Sequence, residues 1–248
     1  IDTNPLVNKV YVFDNVKTAG YREVTQLDLK GKLEFHRKLR NEKYDLIFDI
    51  TGKYSTALFT LFARPKFSVG INYNYFGFCY DRFVPLYTAT ETGHLIDKYL
   101  SVVKTGLNLN EIEWNYIRES VLTKPYIYVS EKDKLTIDEL LKDKFTVLDI
   151  PFIVLHLTSG WSAKELPLVT FGEVFKYLHL SGIKYLIIGD NKDKIRIQEI
   201  YNIIDDETIK PEKYFVKLKL SQSAELIKRS KLLIGSDSAP LHMAGAFN

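Results

Sequence analysis

The most informative stretch of this chain is Leu232-Leu233-Ile234-Gly235-Ser236-Asp237-Ser238-Ala239-Pro240-Leu241-His242-Met243-Ala244. Its first three residues are apolar and predict a short buried strand, which a cluster of turn and cap residues ends. Ser238 then suits the N-cap of a helix, and Pro240 suits the first turn, where a missing N–H costs nothing. A strand, a turn of small residues and a helix start, in this order, are typical of an α/β protein with a parallel sheet.

The same junction also predicts an anion site. At a helix N-terminus, free backbone N–H groups and the positive end of the helix dipole point at one spot. His242 lies within about one turn of this spot and can add a cation. The alternative interpretation is structural capping alone, because Ser, Asp and Pro are common where helices begin. Both interpretations stay open on this segment by itself.

Composition and charge limit the class of protein. The chain has 248 residues, of which 46% are hydrophobic and 26% charged, as in a globular protein of one large or two modest domains. Its net charge of +3 gives no argument for nucleic acid. The single Cys79 excludes an intrachain disulfide and a cysteine metal cluster. No stretch approaches the roughly 18 apolar residues of a membrane span, and no signal peptide is visible. Because the chain begins with Ile1 and ends inside a predicted helix, we expect it to be truncated at one or both ends.

Strand and helix patterns alternate along both halves of the chain. The predicted strands share short apolar runs and cover 9–13, 44–50, 67–71, 126–129, 152–157, 184–188, 214–216 and 232–234. The predicted helices share charged or amphipathic periodicity and cover 29–40, 55–63, 95–107, 130–141, 169–180, 193–203 and 221–229. The alternation predicts two Rossmann-like, doubly wound domains, 1–125 and 126–248, both incomplete. Since ligands bind at the C-terminal ends of parallel strands, we expect the loops there to face a cleft between the domains.

Four segments resemble glycosyltransferase family 9, the lipopolysaccharide heptosyltransferases. They are YDLIFDITGKYS (44–55), FSVGI (67–71), IVLHLTSGWSAKELP (153–167) and LSQSAELIKRSKLLIGSDSAPLHMA (220–244). The spacing between the segments also fits this family, and the last segment is the most specific. The resemblance implies a GT-B fold, in which two Rossmann-like parallel-sheet domains face a cleft.

The resemblance also implies a function. Family members are inverting, metal-independent glycosyltransferases without a cofactor, and here the reaction would move a heptose-like sugar from an ADP-sugar to a lipopolysaccharide core acceptor. Domain 1–125 would be the acceptor side and domain 126–248 the nucleotide-sugar side. The implied partners are a nucleotide-diphospho-sugar and a lipid-linked oligosaccharide, without nucleic acid. The implied location is the cytoplasm, with at most peripheral association at the inner face of the cytoplasmic membrane.

Position by position, the resemblance implies a set of residues that bind the donor and its phosphates. They are Thr158, Ser159, Lys164, Asp237, Ser238, Ala239 and His242. A lysine, hydroxyls and helix N–H groups can bind phosphate and can stabilise the charge that a leaving diphosphate gains in the transition state. Glu225 is a candidate nucleoside contact, with a solvated or capping glutamate as the alternative.

Asp49, Lys53 and His94 are the candidates for the acceptor side. Each has a structural alternative: Asp49 can cap the turn that follows it, Lys53 can be solvated, and His94 can cap a helix. The general base proposed for the family is an Asp in a Gly-Asp motif near the N-terminus. Nothing in residues 1–15 matches this motif, so the catalytic residue is unassigned and is expected upstream of Ile1.

The chain departs from the family pattern at Leu166, Ala239 and Thr51, where Trp, Gly and Gln are usual. Other functions therefore stay open: a GT-B enzyme that uses a UDP-sugar, a non-catalytic two-domain α/β ligand-binding protein, and a transferase that binds without turnover. His156 lies on a predicted buried strand, which favours a hydrogen-bonded core histidine.

Overall fold

The computed structural model of the protein describes residues 4–13, 29–73, 75–85, 95–120, 126–146, 149–204, 206 and 208–247. The chain divides into two compact units, one made of Ile1–Val10 with Lys124–Asn248 and the other made of Tyr11–Thr123. The first ten residues thus group with the C-terminal half of the chain. Each unit contains a parallel sheet with helices, which confirms the predicted α/β class.

The N-terminal unit is built on three parallel strands. Its described elements are α1 (Leu29–Asn41), β1 (Leu46–Asp49), α2 (Tyr54–Ala63), β2 (Phe67–Asn72), β3 (Arg82–Pro85), α3 (Leu95–Gly106) and α4 (Glu111–Ser120). The strand order is β1-β2-β3. Val69, Ile71 and Val84 of the sheet pack with Val102 of α3 in a buried cluster. Because the strands are parallel, the end of β1 and the turn that follows it lie at the C-terminal edge of the sheet.

The C-terminal unit is built on four parallel strands. Its elements are α5 (Glu131–Phe145), β4 (Phe152–His156), α6 (Leu168–Leu180), β5 (Lys184–Ile188), α7 (Asn191–Ile204), β6 (Phe215–Val216), α8 (Leu220–Arg229), β7 (Leu232–Gly235) and α9 (Ala239–Gly245). The strand order is β6-β5-β4-β7.

Helices cover both faces of this second sheet. Val154 and Leu186 pack in a cluster with α5, α8 and α9, whereas their neighbours Leu155 and Ile187 pack in another with α6 and α7. Because successive strand side chains point to opposite faces, the two clusters lie on the two sides of the sheet. The unit is therefore doubly wound, as predicted.

Two predicted strands are wrong. Residues 9–13 and 126–129 have no strand pairing, although their alternation of apolar residues suits a strand. Phe13 instead packs its ring 4.7 Å from that of Phe35 and 4.5 Å from that of Phe59, measured between centroids. Residues 126–129 lead into α5 and pack through Ile127 and Val129 against the core. The same apolar spacing thus serves packing against helices here, which shows how strongly strand formation depends on context.

Candidate functional site

Strands β4 and β7 lie side by side, yet the chain leaves them in opposite directions. From β4 it continues to α6 on one face of the sheet, and from β7 to α9 on the other. Such a reversal is a topological switch point, where parallel α/β sheets open a crevice at the C-terminal ends of their strands. The two segments that flank it are residues 158–166, which we call the donor loop, and residues 236–242, which we call the β7–α9 junction.

Gly235 brings the two segments together. A Cβ atom at this position would lie 2.7 Å from the carbonyl oxygen of His156, so only glycine allows β7 to end this close to β4. The next residue, Ser236, is 2% exposed and donates its amide to the same carbonyl over 3.2 Å. Its hydroxyl donates to the carbonyl of Leu157 over 3.1 Å and accepts from the amide of Leu166 over 3.3 Å. Ser236 therefore ties the junction to both ends of the donor loop.

Ser238 is the N-cap of α9, as predicted, but its side chain does not bond the helix amides. Its hydroxyl oxygen lies 3.0 Å from Nδ1 of His156 and donates to the carbonyl of Ser236 over 3.0 Å. Since a hydroxyl has one hydrogen, the consistent arrangement has Nδ1–H of His156 donating to Ser238. The predicted hydrogen-bonded histidine is confirmed, and its partner belongs to the candidate site.

Burial lowers the pKa of His156, while the carboxylates of Asp193, Asp190 and Glu165 act in the opposite direction. Because the lowering from burial is the largest of these effects, the imidazole is neutral at neutral pH. A neutral ring carries one N–H, and with this hydrogen on Nδ1 the ring can donate to the hydroxyl oxygen of Ser238.

Lys164 and Asp237 join the donor loop to the junction a second time. Nζ of Lys164 lies 2.7 Å from Oδ2 of Asp237, and the amide of Asp237 donates to the carbonyl of Lys164 over 3.3 Å. Both side chains are about half exposed. The hydrogen bond and the charge of Lys164 hold the pKa of the Asp237 carboxyl below its usual range, with a smaller contribution from His242. Nε2 of His242 lies 3.8 Å from Oδ1 of Asp237, and its side chain is 80% exposed.

The hydroxyl-bearing residues at the start of the donor loop bind acidic partners. Thr158 donates its amide and its hydroxyl to Oδ1 of Asp193, over 3.1 and 2.9 Å. Ser159 donates its amide to Oε1 of Glu165 over 2.9 Å. Sequence reasoning missed both acids. Asp193 lies in the first turn of a predicted helix, three residues after Asp190. This spacing is the signal that could have identified it as a capping residue.

Glu225 lies in the packing of α8 against α5. It is 5% exposed, and its Oε1 accepts from Nε of Arg229 over 2.7 Å. Arg229 also contacts Asp138 of α5. Oε2 of Glu225 is buried without a hydrogen-bond partner among the described residues. The structure thus places Glu225 in an ion-pair cluster, and its contact with a nucleoside stays a prediction.

In the N-terminal unit, the carboxylate of Asp49 serves the turn that follows β1. It is 6% exposed, and Oδ1 accepts the amides of Thr51 and Gly52, both over 2.9 Å. Oδ2 accepts the hydroxyl of Tyr80 over 2.7 Å. Lys53 follows as the exposed N-cap residue of α2. The capping alternative for Asp49 describes these contacts, and its role toward an acceptor stays a prediction.

His94 lies outside the residues that the structure describes, so its predicted place at the acceptor side has no structural outcome. The general base also has no structural outcome, because no described residue belongs to the predicted N-terminal Gly-Asp motif.

The comparisons with known proteins agree with this architecture. The sequence profile of glycosyltransferase family 9 (heptosyltransferase) matches residues 32–248. Lipopolysaccharide heptosyltransferase 3 of Escherichia coli is 23% identical over 257 aligned residues, covering 100% of this chain and 68% of that protein.

Two solved structures have the same fold. A glycosyl transferase family 9 protein from Veillonella parvula matches with a TM-score of 0.68 at 19% identity, covering 87% of this chain and 58% of that one. The ADP-heptose lipopolysaccharide heptosyltransferase II of E. coli matches with a TM-score of 0.66 at 20% identity, covering 90% of this chain and 66% of that one. The chain therefore spans less than two thirds of either solved structure. The predicted family resemblance and GT-B-like fold are confirmed.

Proposed function

The chain belongs to glycosyltransferase family 9 (heptosyltransferase), and on this premise we propose that it transfers a heptose-like sugar from an ADP-sugar to a lipopolysaccharide core acceptor with inversion. The similarity to a lipopolysaccharide heptosyltransferase supports the acceptor, and the similarity to a protein named for ADP-heptose supports the donor. A lipid-linked oligosaccharide is the proposed acceptor partner.

One observation carries the proposal: the donor loop and the β7–α9 junction meet at the switch point through the 2.7 Å contact of Lys164 with Asp237. Both segments resemble family 9, the junction most specifically, and both lie at the edge of the sheet where parallel α/β proteins bind ligands. The resulting surface combines Lys164, His242 and the start of α9, whereas the hydroxyls of the proposed contacts Thr158 and Ser159 already donate to Asp193 and to the carbonyl of Trp161. Such groups are suited to a diphosphate.

Lys164 can exchange its partner at little cost. An exposed ion pair contributes only about 0–1 kcal/mol to stability, because water screens both charges. A diphosphate with more than one negative charge competes well for the same ammonium group. In this arrangement Lys164 binds the donor phosphates, while Asp237 keeps the lysine and His242 near the site before the donor arrives.

The proposed chemistry is a direct displacement at the anomeric carbon. An acceptor hydroxyl attacks from the side opposite the diphosphate, the bond from the anomeric carbon to the phosphate oxygen breaks, and ADP leaves with the bonding electrons. Negative charge grows on that oxygen in the transition state. In the proposed complex, Lys164, His242 and the amides of Ser238 and Ala239 would stabilise this charge, and stabilisation of this kind is usually the largest single contribution to catalysis. The acceptor proton goes to a base that no residue is assigned to supply.

The proposal can be tested by calorimetry and thermal shift with ADP, UDP and their sugar conjugates, with EDTA present. We expect ADP compounds to bind without metal, and ADP at about 100 times its Kd to stabilise the protein by about 2.7 kcal/mol. Selective binding of UDP would indicate that the protein uses a UDP-sugar as its donor instead of an ADP-sugar. Absence of binding by every nucleotide would overturn the proposal.

A matched pair of lysines sharpens the test. Lys66 forms an exposed ion pair of 2.6 Å with Asp45 in the N-terminal unit, just before the first residues of β2 and β1, and so resembles the pair of Lys164. Lys66→Ala should therefore leave ADP affinity unchanged. Lys164→Ala should weaken it about 10- to 100-fold, since one charge-assisted hydrogen bond contributes about 1.5–3 kcal/mol.

We also propose that the protein acts in the cytoplasm and reaches its acceptor at the inner face of the cytoplasmic membrane, with Asp49, Lys53 and His94 on the acceptor side. No helix in the described part of the chain is long and apolar enough to cross a bilayer. Co-sedimentation with vesicles that contain the acceptor lipid, compared with plain phosphatidylcholine vesicles, tests this association. Equal sedimentation with both vesicles would contradict it.

A further inference from the structure

The donor loop depends on α7, a helix that follows it in the chain by some 25 residues. Apart from one short 3-10 turn at Ser162–Lys164, the loop has no regular structure of its own. Two side chains of α7, Asp193 and Arg196, contact it. They stand three positions apart and therefore lie on the same face of the helix, one turn from each other.

Asp193 holds the beginning of the loop. Its side chain is almost completely buried, with 1% exposed, and Oδ1 accepts both the amide and the hydroxyl of Thr158. Oδ2 accepts the amide of Asp190 over 2.8 Å, which fixes the carboxylate relative to the end of β5. Gly189 makes room for it, because a Cβ there would lie 2.2 Å from Cγ of Asp193. The first residue of the donor loop is thus anchored to a rigid part of the sheet.

Arg196 holds the end of the loop. Its Nη1 lies 3.0 Å from Oε2 of Glu165, and its Nη2 donates to the carbonyl of Leu166 over 2.5 Å. Glu165 also contacts the start of the loop, because its Oε1 accepts the amide of Ser159 over 2.9 Å. Arg196, Glu165 and Ser159 therefore close the loop on itself, with Lys164 beside the closing contact.

The burial of this ion pair is not explained by stability alone. The side chains of Arg196 and Glu165 are each 16% exposed, and Nε of Arg196 is buried without a hydrogen-bond partner among the described residues. Taking two charges out of water costs free energy that their attraction only partly offsets, so such pairs are weak stabilisers. The pair instead fixes the position of Glu165 and Leu166, since a guanidinium group binds a carboxylate and a carbonyl in fixed directions.

We propose that Asp193 and Arg196 are positioning residues, which hold residues 158–166 in the conformation that presents Lys164 to the donor diphosphate. This inference rests on the proposed donor site. An ordered loop binds its ligand more tightly than a mobile one, because the loop's entropy is lost on folding and not again on binding. Both residues contact the loop, and in this proposal each acts on the donor through it.

The test combines amide hydrogen exchange with donor binding in the variants Arg196→Met, Arg196→Lys and Asp193→Asn. Asp193→Asn removes the charge and one of the two oxygens that accept from Thr158 and Asp190, so it should speed exchange at the start of the loop, and unchanged exchange there would overturn the role of Asp193. We expect Arg196→Met to speed exchange in residues 158–166 without changing exchange in β4 and β5. We also expect it to weaken ADP binding about tenfold, or about 1.4 kcal/mol, which is the scale of the cost of ordering one or two side chains on binding. Arg196→Lys should recover part of the affinity, since it restores the charge opposite Glu165 but not the second contact with Leu166.

Arg229→Met is the matched control. Like Arg196, Arg229 is a partly buried arginine in an ion pair. Its partners are the two acids Asp138 and Glu225, in the cluster of α8 and α5. Its loss should lower the melting temperature and leave exchange in residues 158–166 unchanged. If Arg196→Met fails to fold, Glu165→Gln replaces it, because glutamine keeps an acceptor for Ser159 and removes the charge that Arg196 binds.

The two parts of the argument fail separately. Unchanged loop exchange in Arg196→Met, or in Glu165→Gln in its place, would overturn the positioning role whether or not ADP binds. Faster loop exchange with unchanged ADP affinity would overturn the link between loop order and donor binding. Failure of the unaltered protein to bind any nucleotide would instead remove the proposed function, and loop exchange would still decide the role of Arg196.

Discussion

Asp237 lies at the centre of the charges in the candidate site. One of its carboxylate oxygens contacts Lys164 of the donor loop, and the other faces His242 of α9. The three side chains come from two separate loops, so the acid joins the two parts of the site electrostatically. All three are substantially exposed, which leaves them free to rearrange around an incoming ligand.

The pKa of Asp237 reports on this arrangement. Lys164 is the main cause of its lowered value, by a hydrogen bond and by charge. We expect Lys164→Ala to raise the pKa of Asp237 toward that of an ordinary aspartate, measured by NMR titration of its carboxyl carbon. Lys66→Ala is the control and should leave the pKa of Asp237 unchanged. An unchanged titration of Asp237 in Lys164→Ala would show that the pair does not persist in solution.

His156 should make the stability of the protein depend on pH. Burial lowers its pKa in the folded protein below the value in the unfolded chain. As the pH falls through the ordinary histidine range, near 6.5, the unfolded chain takes up the proton first, so the free energy of unfolding decreases. We expect the melting temperature to fall more between pH 7.5 and 5.5 in the unaltered protein than in His156→Gln.

His179 supplies the control for this prediction. It lies on α6, beside Thr208 in an exposed setting, and so His179→Gln should keep the full pH dependence of the unaltered protein. Equal pH dependence in His156→Gln and the unaltered protein would contradict the assignment to His156.

At the scale of elements, the turn between β1 and α2 shows why local sequence signals were sufficient in some places. Thr51-Gly52-Lys53 predicts a turn, and Gly52 has a φ of +60° there. Its missing side chain matters as well, since a Cβ would lie 2.1 Å from the carbonyl oxygen of Ile71 in β2. Asp49 then satisfies the amides of this turn. Sequence reasoning identified the turn but not the close approach of β2.

Gly52→Ala should therefore destabilise the protein more than Gly182→Ala. Both glycines have positive φ, of +60° and +63°, but no atom lies within 4 Å of a Cβ at Gly182. Gly182→Ala should cost only the left-handed backbone strain, about 1 kcal/mol. Gly52→Ala should cost about 1–3 kcal/mol more, because it crowds backbone. Urea denaturation measures both, and equal losses would argue against the contact with Ile71.

At the scale of the whole molecule, each unit has a sheet and a core of its own. In the C-terminal unit both faces of β4 and β5 are buried in clusters that include large, fully buried side chains such as Phe171 and Phe175. The buried clusters described in the N-terminal unit contain fewer side chains, among them Val69, Ile71 and Tyr80. Since local stability follows buried apolar contact, the two units should differ in resistance to opening.

We expect amides of β4 and β5 to exchange more slowly than those of β1 and β2. With ADP present, exchange should slow further in residues 158–166 and 236–242 and stay unchanged in β1, β2 and β3. Amide hydrogen exchange followed by mass spectrometry resolves these segments. Protection by ADP confined to the N-terminal strands would place the nucleotide in the wrong unit for the proposed function.

Local patterns were enough to predict the α/β class, most strands and helices, and the strand–turn–helix junction at 232–244. These features come from apolar periodicity and turn chemistry, which act between residues a few positions apart, whereas the family was identified from the resemblance of four segments. The contacts that join the site are tertiary. Lys164 meets Asp237 across 73 positions, Asp193 and Arg196 hold a loop some 30 residues before them, and Ser238 binds His156 instead of its own helix. Such contacts depend on strand order, which sets β4 beside β7, and no local pattern contains that order.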